Sequence, residues 1–408
     1  MIVTGTLQDV CSLITDGTHD SPKLQTSGVP FIKGKHISSG TIDFENCDFI
    51  TEEDHAACVK RVKPQRNDII FSNIGSVGDT AVVKSDQEFS IKNVALFRPD
   101  PKKADPKYVY YLVCGSGFRT GILNQRSGAA QPFITLGNLR TFEFPYESDL
   151  PTQRKIAGIL SAYDDLIENN LRRIKILEEM AQSLYREWFV HFRFPGHESA
   201  KFVDSELGLI PKGWEVKAIE EVAIVHRGRS YRSSELLDDG GLPFINLKCV
   251  VRDGGFRRDG IKRFDGPYKD SHKVVPGDIV MAVTDMTQER RIVARAARIP
   301  TLDADFGIVS MDLVKIEPRL GVSSDYLYGY FRCSDFADHL KQHANGANVL
   351  HLSPDRIKEH HFVMPDGQLR NRYSVTAGLH FERIENLHRR NDILRRTRDL
   401  LLPKLLSP

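Results

Sequence analysis

The sequence predicts a mixed α/β (α+β) protein made of two copies of one unit, each a globular region followed by a long helix. One observation is an internal repeat, in which Tyr108-Val-Tyr-Tyr-Leu112 returns as Tyr326-Leu-Tyr-Gly-Tyr330. A second is the run Ile167 to Leu177, which returns as Ile384 to Leu394. A third is the helical spacing of apolar residues in both long segments. Two similar units joined by spacers suit a ligand with two similar, separated sites.

The first globular region reads as short strands and loops. Asp68-Ile-Ile-Phe71 and Thr80-Ala-Val-Val83 flank a glycine-bearing turn, which favours a pair of strands. Val94-Ala-Leu-Phe97, stopped by Pro99, is a further predicted strand. Lys107 to Leu123 has the apolar spacing of a helix.

A long helix is predicted to open at Pro151 and to end before Pro195-Gly196. Its apolar residues alternate in steps of four and three, which is the a/d seam of a coiled coil. The alternative is a helix inside one large core, where the apolar stripe is usually wider. The seam positions are Ile156, Leu160, Tyr163, Ile167, Asn170, Ile174, Leu177, Ala181, Leu184 and Trp188.

The second unit repeats this order. Gly307 to Pro318 is predicted to be one strong strand, and a second long helix is predicted over Arg370 to Leu402. Its looser seam positions are Ile384, Leu387, Asn391, Leu394 and Leu401. The predicted segments are a first globular domain at 1–150, a helical spacer at 151–194, a linker at 195–209, a second globular domain at 210–368 and a second helical spacer at 369–408.

Isolated helices of this kind are only marginally stable, so we expect the two spacers to pack against each other as an antiparallel coiled coil. Because each helix follows its own globular domain, this packing makes a pseudo-two-fold molecule. Asn170 and Asn391 lie on the two seams. They either fix the register of the helices or face solvent, and we favour the first interpretation.

The amino-acid composition excludes few classes of protein. A chain of 408 residues, 40% hydrophobic and 27% charged, is long enough for two domains. The net charge of +2 does not by itself indicate a nucleic-acid partner. The six cysteines form no CxxC pair, so we expect reduced thiols. No apolar run approaches the ~20 residues of a membrane span, and the start lacks a leader pattern, so a cytoplasmic location without membrane contact is expected.

Catalytic and metal-binding signatures are missing. There is no GxxxxGK[ST] loop and no GxSxG elbow. His339 and His343 have helical spacing but lack the glutamate of a zinc protease motif. The Asn-Pro-Pro-Tyr type of tetrapeptide, which holds the flipped base in methyltransferases acting on amino groups of bases, is also absent. We therefore expect no catalytic residue, no metal and no cofactor in this chain.

Several loops combine cations, amides and hydroxyls, and they recur in both units. Lys and Arg neutralise phosphates, Arg reads guanine, and Asn or Gln reads adenine. A solvated charged turn is the alternative for each loop, but the recurrence favours DNA recognition. The candidate DNA-binding residues are Thr18, His19, Lys33, Lys35, Ser72, Asn73, Lys92 and Asn93 in the first unit, and Arg227, Arg229, Tyr231, Arg232, Lys248, Arg257, Arg258, Thr284, Thr287, Gln288, Arg290 and Arg291 in the second.

The second helix also has an arginine-rich face. It either holds DNA phosphates or pairs with acidic residues of a partner or of this chain, and we favour acidic pairing. Its residues are Arg383, Arg389, Arg390, Arg395, Arg396 and Arg398.

An ordered set of motifs resembles the specificity subunit of type I restriction–modification systems. Gly-Val-Pro-Phe-Ile32 and Gly-Leu-Pro-Phe-Ile245 enter the two units, and Gly-Asp-Ile-Val280 follows in the second. Gly128-Ala-Ala-Gln-Pro-Phe-Ile134 precedes the first helix, which starts with Gln153-Arg-Lys-Ile-Ala-Gly-Ile-Leu160. The resemblance covers essentially the whole chain, although the second helix lacks a close counterpart of its Gln-Arg-Lys start.

The resemblance implies two target-recognition domains, each reading one half of a split double-stranded DNA sequence. The helices would set the spacing and dock two modification subunits, which carry S-adenosylmethionine and the methyl-transfer site. Restriction subunits would then join and cleave DNA. Two alternatives remain at this point, a DNA-modifying enzyme with cryptic motifs and a scaffold whose globular domains bind proteins.

Overall fold

The computed structural model describes residues 1–38, 40–128, 132–287 and 289–406. The chain forms two compact units, one made of Met1–Asn169 with Arg390–Pro408 and the other of Asn170–Arg389. We call them unit 1 and unit 2. Each unit contains the beginning of one long helix and the end of the other. Unit 1 is therefore assembled from both ends of the sequence.

Unit 1 begins with short strands and short helices. Its strands are β1 (Ile2–Gly5), β2 (Cys11–Asp16), β3 (Val29–Ile32), β4 (Ile37–Ser38), β5 (Thr41–Ile42), β6 (Asp48–Ile50), β7 (Ile69–Phe71), β8 (Thr80–Val82), β9 (Ser90–Ile91), β10 (Ala95–Pro99) and β11 (Phe144–Glu147). Its helices are α1 (Leu7–Val10), α2 (Glu52–Cys58), α3 (Pro106–Cys114), α4 (Ser116–Leu123), α5 (Leu136–Thr141) and the start of α6 (Leu150–Tyr185).

Unit 2 has the same kind of elements. Its helices are α7 (Ile219–Val222), α8 (Ser324–Cys333), α9 (Phe336–Leu340), α10 (Pro354–Lys358) and most of α11 (Gly367–Leu406). Its strands are β12 (Phe202–Ser205), β13 (Gly208–Pro211), β14 (Glu215–Ala218), β15 (Ala223–Arg227), β16 (Leu236–Leu237), β17 (Leu242–Ile245), β18 (Lys262–Phe264), β19 (Lys273–Val274), β20 (Ile279–Ala282), β21 (Thr284–Asp285), β22 (Ala296–Arg298), β23 (Gly307–Val309), β24 (Leu313–Pro318), β25 (Leu350–His351) and β26 (His361–Met364).

The sheets confirm the internal repeat. Unit 1 has a four-stranded sheet in the order β2-β10-β7-β8, and unit 2 has one in the order β15-β24-β20-β22. A second sheet in each unit pairs one strand parallel with a later one, β3 with β9 and β17 with β23. The pairs β1/β11 and β14/β26 close each unit in the same way. The two units thus share one topology as well as similar sequence segments.

One predicted strand is wrong. Gly307 to Pro318 is two strands, because β23 pairs with β17 in one sheet and β24 pairs with β15 and β20 in another. The chain changes sheets between Val309 and Leu313. A continuous apolar pattern cannot reveal this change, because both strands are buried. The helical character of Lys107 to Leu123 is confirmed, with a break at Gly115 between α3 and α4.

The predicted seams are buried. All ten positions of the first seam and all five of the second are buried or half-buried. Near its ends α6 is covered over a wider stripe, since Ala157 joins the core of unit 1 and Tyr185 joins the core of unit 2, together with Phe189 just beyond the helix. The helix ends therefore belong to the globular cores, and only the middle of α6 keeps a narrow seam. In unit 1 the start of α6 packs with the end of α11, as antiparallel pairing requires.

The two seam asparagines are buried, with 8% of Asn170 and none of Asn391 exposed. The alternative that they face solvent is thus wrong. Their proposed role in fixing register stays a prediction. All six cysteines are free thiols, as expected. Among the residues that the structure describes, no helix is both long and apolar enough to cross a bilayer.

One arginine of the basic face is paired inside unit 1. The Arg398 guanidinium pairs with Asp164 on α6, and the Tyr111 hydroxyl donates to the same carboxylate at 2.5 Å. Both charged side chains are mostly covered, with 23% and 22% of their surface exposed. The acidic pairing favoured for this face is thereby confirmed for Arg398. Arg395 makes a more exposed pair with Asp392 at 3.1 Å.

Replacing Arg398 by Ala should destabilise unit 1 by about 1–3 kcal/mol, because Asp164 would keep its charge without its cation. Urea unfolding of the full chain measures the effect. Arg395→Ala is the matched control and should cost no more than about 0.5 kcal/mol, since exposed pairs contribute little. Equal effects of the two substitutions would contradict the conclusion that the Arg398 pair stabilises unit 1 more than the exposed Arg395 pair does.

A histidine in unit 2 is held neutral. The Nε2 atom of His360 forms a hydrogen bond with the Tyr330 hydroxyl at 2.8 Å. Burial lowers the pKa of His360 from 6.5 to about 4. His339, His343 and His361 lower this pKa further, whereas Asp335 raises it. The unfolded chain takes up this proton at a higher pH than the folded chain. The stability that depends on neutral His360 is thus present above pH ~6.5 and lost as the pH falls towards ~4.

We expect unit 2 to lose about 2 kcal/mol between pH 7 and pH 4.5 through this group. Urea unfolding at the two pH values measures the loss. His360→Asn should remove most of this pH dependence, whereas His361→Asn, which removes only one of the smaller causes of the lowered pKa, should reduce it far less. An unaltered pH dependence in His360→Asn would assign the loss to other groups.

Candidate nucleic-acid interface

The predicted polar loops of unit 1 meet at one edge of its four-stranded sheet. β2 and β7 both run antiparallel to β10, so their carboxyl ends lie at the same edge as the start of β10. The loop after β3 joins them, because Lys92 donates its backbone N–H to Ile32. We call this set edge 1, and its members are Thr18, His19, Lys33, Lys35, Ser72, Asn73, Lys92 and Asn93.

His19 is the exposed centre of edge 1. Its Nδ1 lies 2.9 Å from the side-chain oxygen of Asn93, and its Nε2 lies 3.0 Å from the Asp16 carboxylate. Asn93 has φ of 53°, a left-handed conformation that asparagine tolerates better than most residues. The Thr18 amide donates to the Ile91 carbonyl at 3.0 Å. These contacts fix the orientation of the imidazole at the protein surface.

The lysines of edge 1 share acidic and polar partners. Lys33 and Lys35 lie 2.8 and 3.2 Å from the Asp48 carboxylate. Burial alone would raise the pKa of Asp48, but the hydrogen bonds from these lysines hold it below its ordinary value. Lys92 donates to the Ser21 hydroxyl. Each ammonium group is thus held near the edge while Lys35 remains exposed.

Ser72, Asn73 and Thr18 are buried at this edge, with 0%, 5% and 6% of their surface exposed. The Asn73 amide donates to the Ile134 carbonyl at 3.1 Å. A Cβ on Gly34 would lie 2.6 Å from the Ser72 hydroxyl oxygen, so the Lys33–Lys35 turn packs against Ser72. In this structure these three residues hold the loops together. His19 and Lys35 are the exposed members of edge 1, and Lys33, Lys92 and Asn93 are half-buried.

Unit 2 has an equivalent edge. β15 and β20 run antiparallel to β24, which brings Arg227, Thr284 and the loop 310–312 together. Thr18 and Lys92 form a parallel bridge in unit 1, and Arg229 and Ser310 form the corresponding bridge in unit 2. We call this set edge 2, with members Arg227, Arg229, Tyr231, Arg232, Thr284, Thr287, Arg290 and Arg291. The structure therefore brings most of the predicted residues to matching places in the two units.

Some side chains of edge 2 are held by hydrogen bonds or ring packing, and others are exposed. Arg229 donates to the Pro267 carbonyl at 2.6 Å and to Glu235 at 3.0 Å, and the Tyr231 ring packs on Phe244 with centroids 4.8 Å apart. Arg227 and Arg232 are exposed. Thr284 is buried and donates to Asp312 at 3.2 Å, and the Thr287 hydroxyl donates to Asp285 at 2.7 Å. The exposed arginines of edge 2 therefore lie beside residues that are held in place by hydrogen bonds.

Three predicted residues lie elsewhere in unit 2, and one cannot be placed. Arg258 pairs with Glu385 of α11 at 2.7 Å, so it faces the helix and not edge 2. Arg257 pairs with Asp259 at 3.0 Å, and Lys248 is exposed next to β17. Gln288 lies outside the described residues. Sequence patterns predict that these arginines lie in loops but do not predict the direction in which each side chain points.

A cleft at edge 2 contains residues that the sequence reasoning missed. It has a volume of about 670 Å³ and reaches Arg227 and Thr284. The missed residues come from the loop after α9 and from α10, and they are His343, Asn345, His351 and Arg356. Asn345 and His351 face each other in an antiparallel bridge, and Ser127 and Phe133 form the corresponding bridge in unit 1. The repeat of Gly128 as Gly346 was a signal for this pair of loops.

Within residues 1–38, 40–128, 132–287 and 289–406, no group of three or more His, Cys, Asp or Glu side chains is arranged to hold a metal ion.

Arg290 and Arg291 lie on the loop between β21 and β22. Arg290 has φ of 53° and donates to the Lys341 carbonyl at 3.1 Å, and Arg291 pairs with Asp253 at the surface. Arg290→Ala with Arg291→Ala should weaken DNA binding or relax the second half of the target by roughly 10–100-fold, because a base contact from Arg contributes ~1–3 kcal/mol. Filter binding with altered half-sites measures the change.

Arg319→Ala is the control for this pair, because Arg319 is exposed beyond the opposite end of β24. It should leave affinity and fidelity unchanged. Normal fidelity in the double variant would show that the turn does not read DNA.

The chain is similar to known proteins in both sequence and fold. Residues 2–179 match the type I restriction modification DNA specificity domain. The chain is 24% identical over 369 residues to the type I restriction enzyme MjaIX specificity subunit of Methanocaldococcus jannaschii, covering 88% of this chain and 80% of that protein. It is 27% identical over 254 residues to the putative MjaX specificity subunit of the same organism, covering 60% of this chain and 58% of that protein.

A solved structure has the same fold. The type I restriction–modification system S subunit from M. genitalium superposes with a TM-score of 0.57 at 16% identity, covering 100% of this chain and 96% of that chain. The residues that match the DNA specificity domain include edge 1 and most of α6. Over most of its length the chain is similar to type I restriction–modification specificity subunits.

Proposed function

We propose that this chain reads a bipartite double-stranded DNA target, with edge 1 reading one half and edge 2 the other. The observation that carries the proposal is the repetition of one polar edge, at the same place in the same topology, in two units. Cations at each edge can neutralise phosphates, while amide and guanidinium groups can read bases. The exposed side chains differ between the edges, so the two half-sites should differ in sequence.

The helices supply a surface for partner subunits. Large apolar side chains remain exposed on them, which commonly marks a protein interaction site. On unit 1 these side chains are Ile159, Leu166, Ile393 and Leu400, and on unit 2 they are Leu171, Ile176, Met180, Val375 and Leu379. We assign this surface to two modification subunits that carry S-adenosylmethionine. Restriction subunits would join that complex, and the chain itself would catalyse no reaction and act in the cytoplasm, where its DNA lies.

Co-expression with modification subunits, followed by mapping of methylated bases, tests this function. The expected result is a split motif of two short, different blocks separated by unread bases. The 36 residues of α6 measure about 54 Å at ~1.5 Å per residue, which limits the gap to about 16 base pairs. A single continuous motif would refute bipartite reading. Methylation by the purified chain alone would instead show an enzyme, and binding insensitive to salt and sequence would favour a protein scaffold.

A further inference from the structure

Unit 2 contains a second cavity that DNA reading does not use. It has a volume of about 260 Å³ and is lined by α6, α8, α11 and the loop after Val250. Its apolar wall includes Phe256, Tyr328 and Phe381, and the Tyr328 and Phe381 rings lie 5.5 Å apart. Ligand sites typically combine such an aromatic wall with a few converging polar groups. The wall is large enough for a planar ring and too small for a duplex.

Two charged groups of opposite sign face this cavity. Glu178 comes from α6 and Arg332 from α8. Arg332 donates one N–H to the Asp253 carbonyl at 2.5 Å, which fixes the guanidinium at the cavity. Much of Glu178 remains exposed. Desolvation of its carboxyl group raises its pKa, and Arg332 opposes that rise. The Tyr328 hydroxyl lies within the electrostatic reach of both groups.

The other arginines of the cavity and its other carboxylate are already paired. Arg258 pairs with Glu385 at 2.7 Å, and Arg298 bonds Asp325 at 3.2 Å while covering the Phe381 ring. A ligand would therefore meet one carboxylate acceptor and one guanidinium donor beside an aromatic wall. Neither a simple anion nor a simple cation satisfies both groups.

We propose that this cavity binds the base of a free guanine nucleotide. The guanine edge carries two adjacent N–H donors, which suit a carboxylate, next to a carbonyl oxygen and a ring nitrogen that suit arginine. Tyr328 and Phe256 would cover the face of the ring. The phosphate would stay in solvent. The inference is independent of the proposed DNA reading, because the cavity shares no residue with edge 1 or edge 2.

Calorimetric titration of the full chain, without DNA or partners, tests the proposal with GMP, IMP and AMP. GMP should bind at least tenfold more tightly than IMP, which lacks the amino group facing Glu178. AMP should bind more weakly still, since its amino group replaces the carbonyl that faces Arg332. Equal affinities for the three nucleotides, or no heat with any of them at millimolar concentration, would overturn the proposal.

Glu178→Gln should lower GMP affinity at least tenfold and abolish the preference for GMP over IMP. Glu179→Gln is the matched control, because it removes the neighbouring charge on the same helix but does not line the cavity. An unchanged titration of Glu178→Gln, with a thermal unfolding curve like that of the original chain, would remove Glu178 from the site. A single-stranded oligonucleotide with one guanine that bound more tightly than GMP would contradict a free nucleotide as the source.

Discussion

Replacing both Ile167 and Ile174 by Asp should abolish methylation of the complete split target while binding to separate half-sites survives. The two side chains are 8% and 6% exposed on the α6 seam. An unpaired charge at such a position typically destabilises by several kcal/mol. Edges 1 and 2 are built on separate sheets. The loss of stability should therefore affect the pairing of the two long helices and not the edges.

Ala162→Asp with Asn169→Asp is the matched control for this experiment. It adds two charges to the same helix at exposed positions, and methylation should continue. Limited proteolysis of the seam variant should release two folded fragments. Complete degradation would mean that the helix centre and the globular regions unfold together. That outcome is the expectation for one large core, and it has a physical basis because Ile174 also joins the core of unit 2.

Gly228→Ala should eliminate reading of the second half-site, and Gly17→Ala should eliminate reading of the first. A Cβ on Gly228 would overlap the Ser310 carbonyl, and a Cβ on Gly17 would overlap the Ile91 carbonyl. In both cases the obstacle is backbone, which cannot turn aside as a side chain can. The loop carrying Arg229 or His19 must therefore move away from its edge. We expect at least a 100-fold loss for the affected half-site, which corresponds to ~3 kcal/mol.

Gly117→Ala provides the comparison, because a Cβ there meets nothing within 4 Å. It should leave binding unchanged and can stabilise α4, where alanine is the better helix former. Binding to duplexes with one intact half-site separates the effects of Gly17→Ala and Gly228→Ala. If either variant impaired both half-sites equally, the two edges would not act as separate readers.

The repeat and the seams could be predicted from the sequence because both are local patterns. The spacing of Ile156 to Trp188 requires only helical geometry, and the structure buries or half-buries every one of those positions. The placement of polar loops at strand ends was equally accessible, since strand and turn residues alternate. The matching places of Thr18 and Arg229 then follow from the shared topology.

Other features depend on distant parts of the chain. The chain changes sheets at Ser310 because β23 pairs with β17, whereas β24 pairs with β15. Neither partner strand is near in sequence. Arg258 was expected at the DNA and instead pairs with Glu385, more than a hundred residues away. The cleft residues His343 and Asn345 are placed by a bridge to a later loop. Side-chain direction in loops is set by such tertiary contacts and not by the loop's composition.

Unit 1 is assembled from two distant segments of the chain, and this affects the order in which the two units can fold during translation. Its hydrophobic core includes Leu406, which is synthesised after every residue of unit 2. Domains generally fold as their residues emerge, at ~5–20 residues per second. The region translated first must then wait about 12–48 seconds for its last helical segment, during which apolar surface near Leu160 stays uncovered. Unit 1 is thus completed only after all of unit 2 has been synthesised, and a stop codon ahead of Leu401 would damage the core of unit 1.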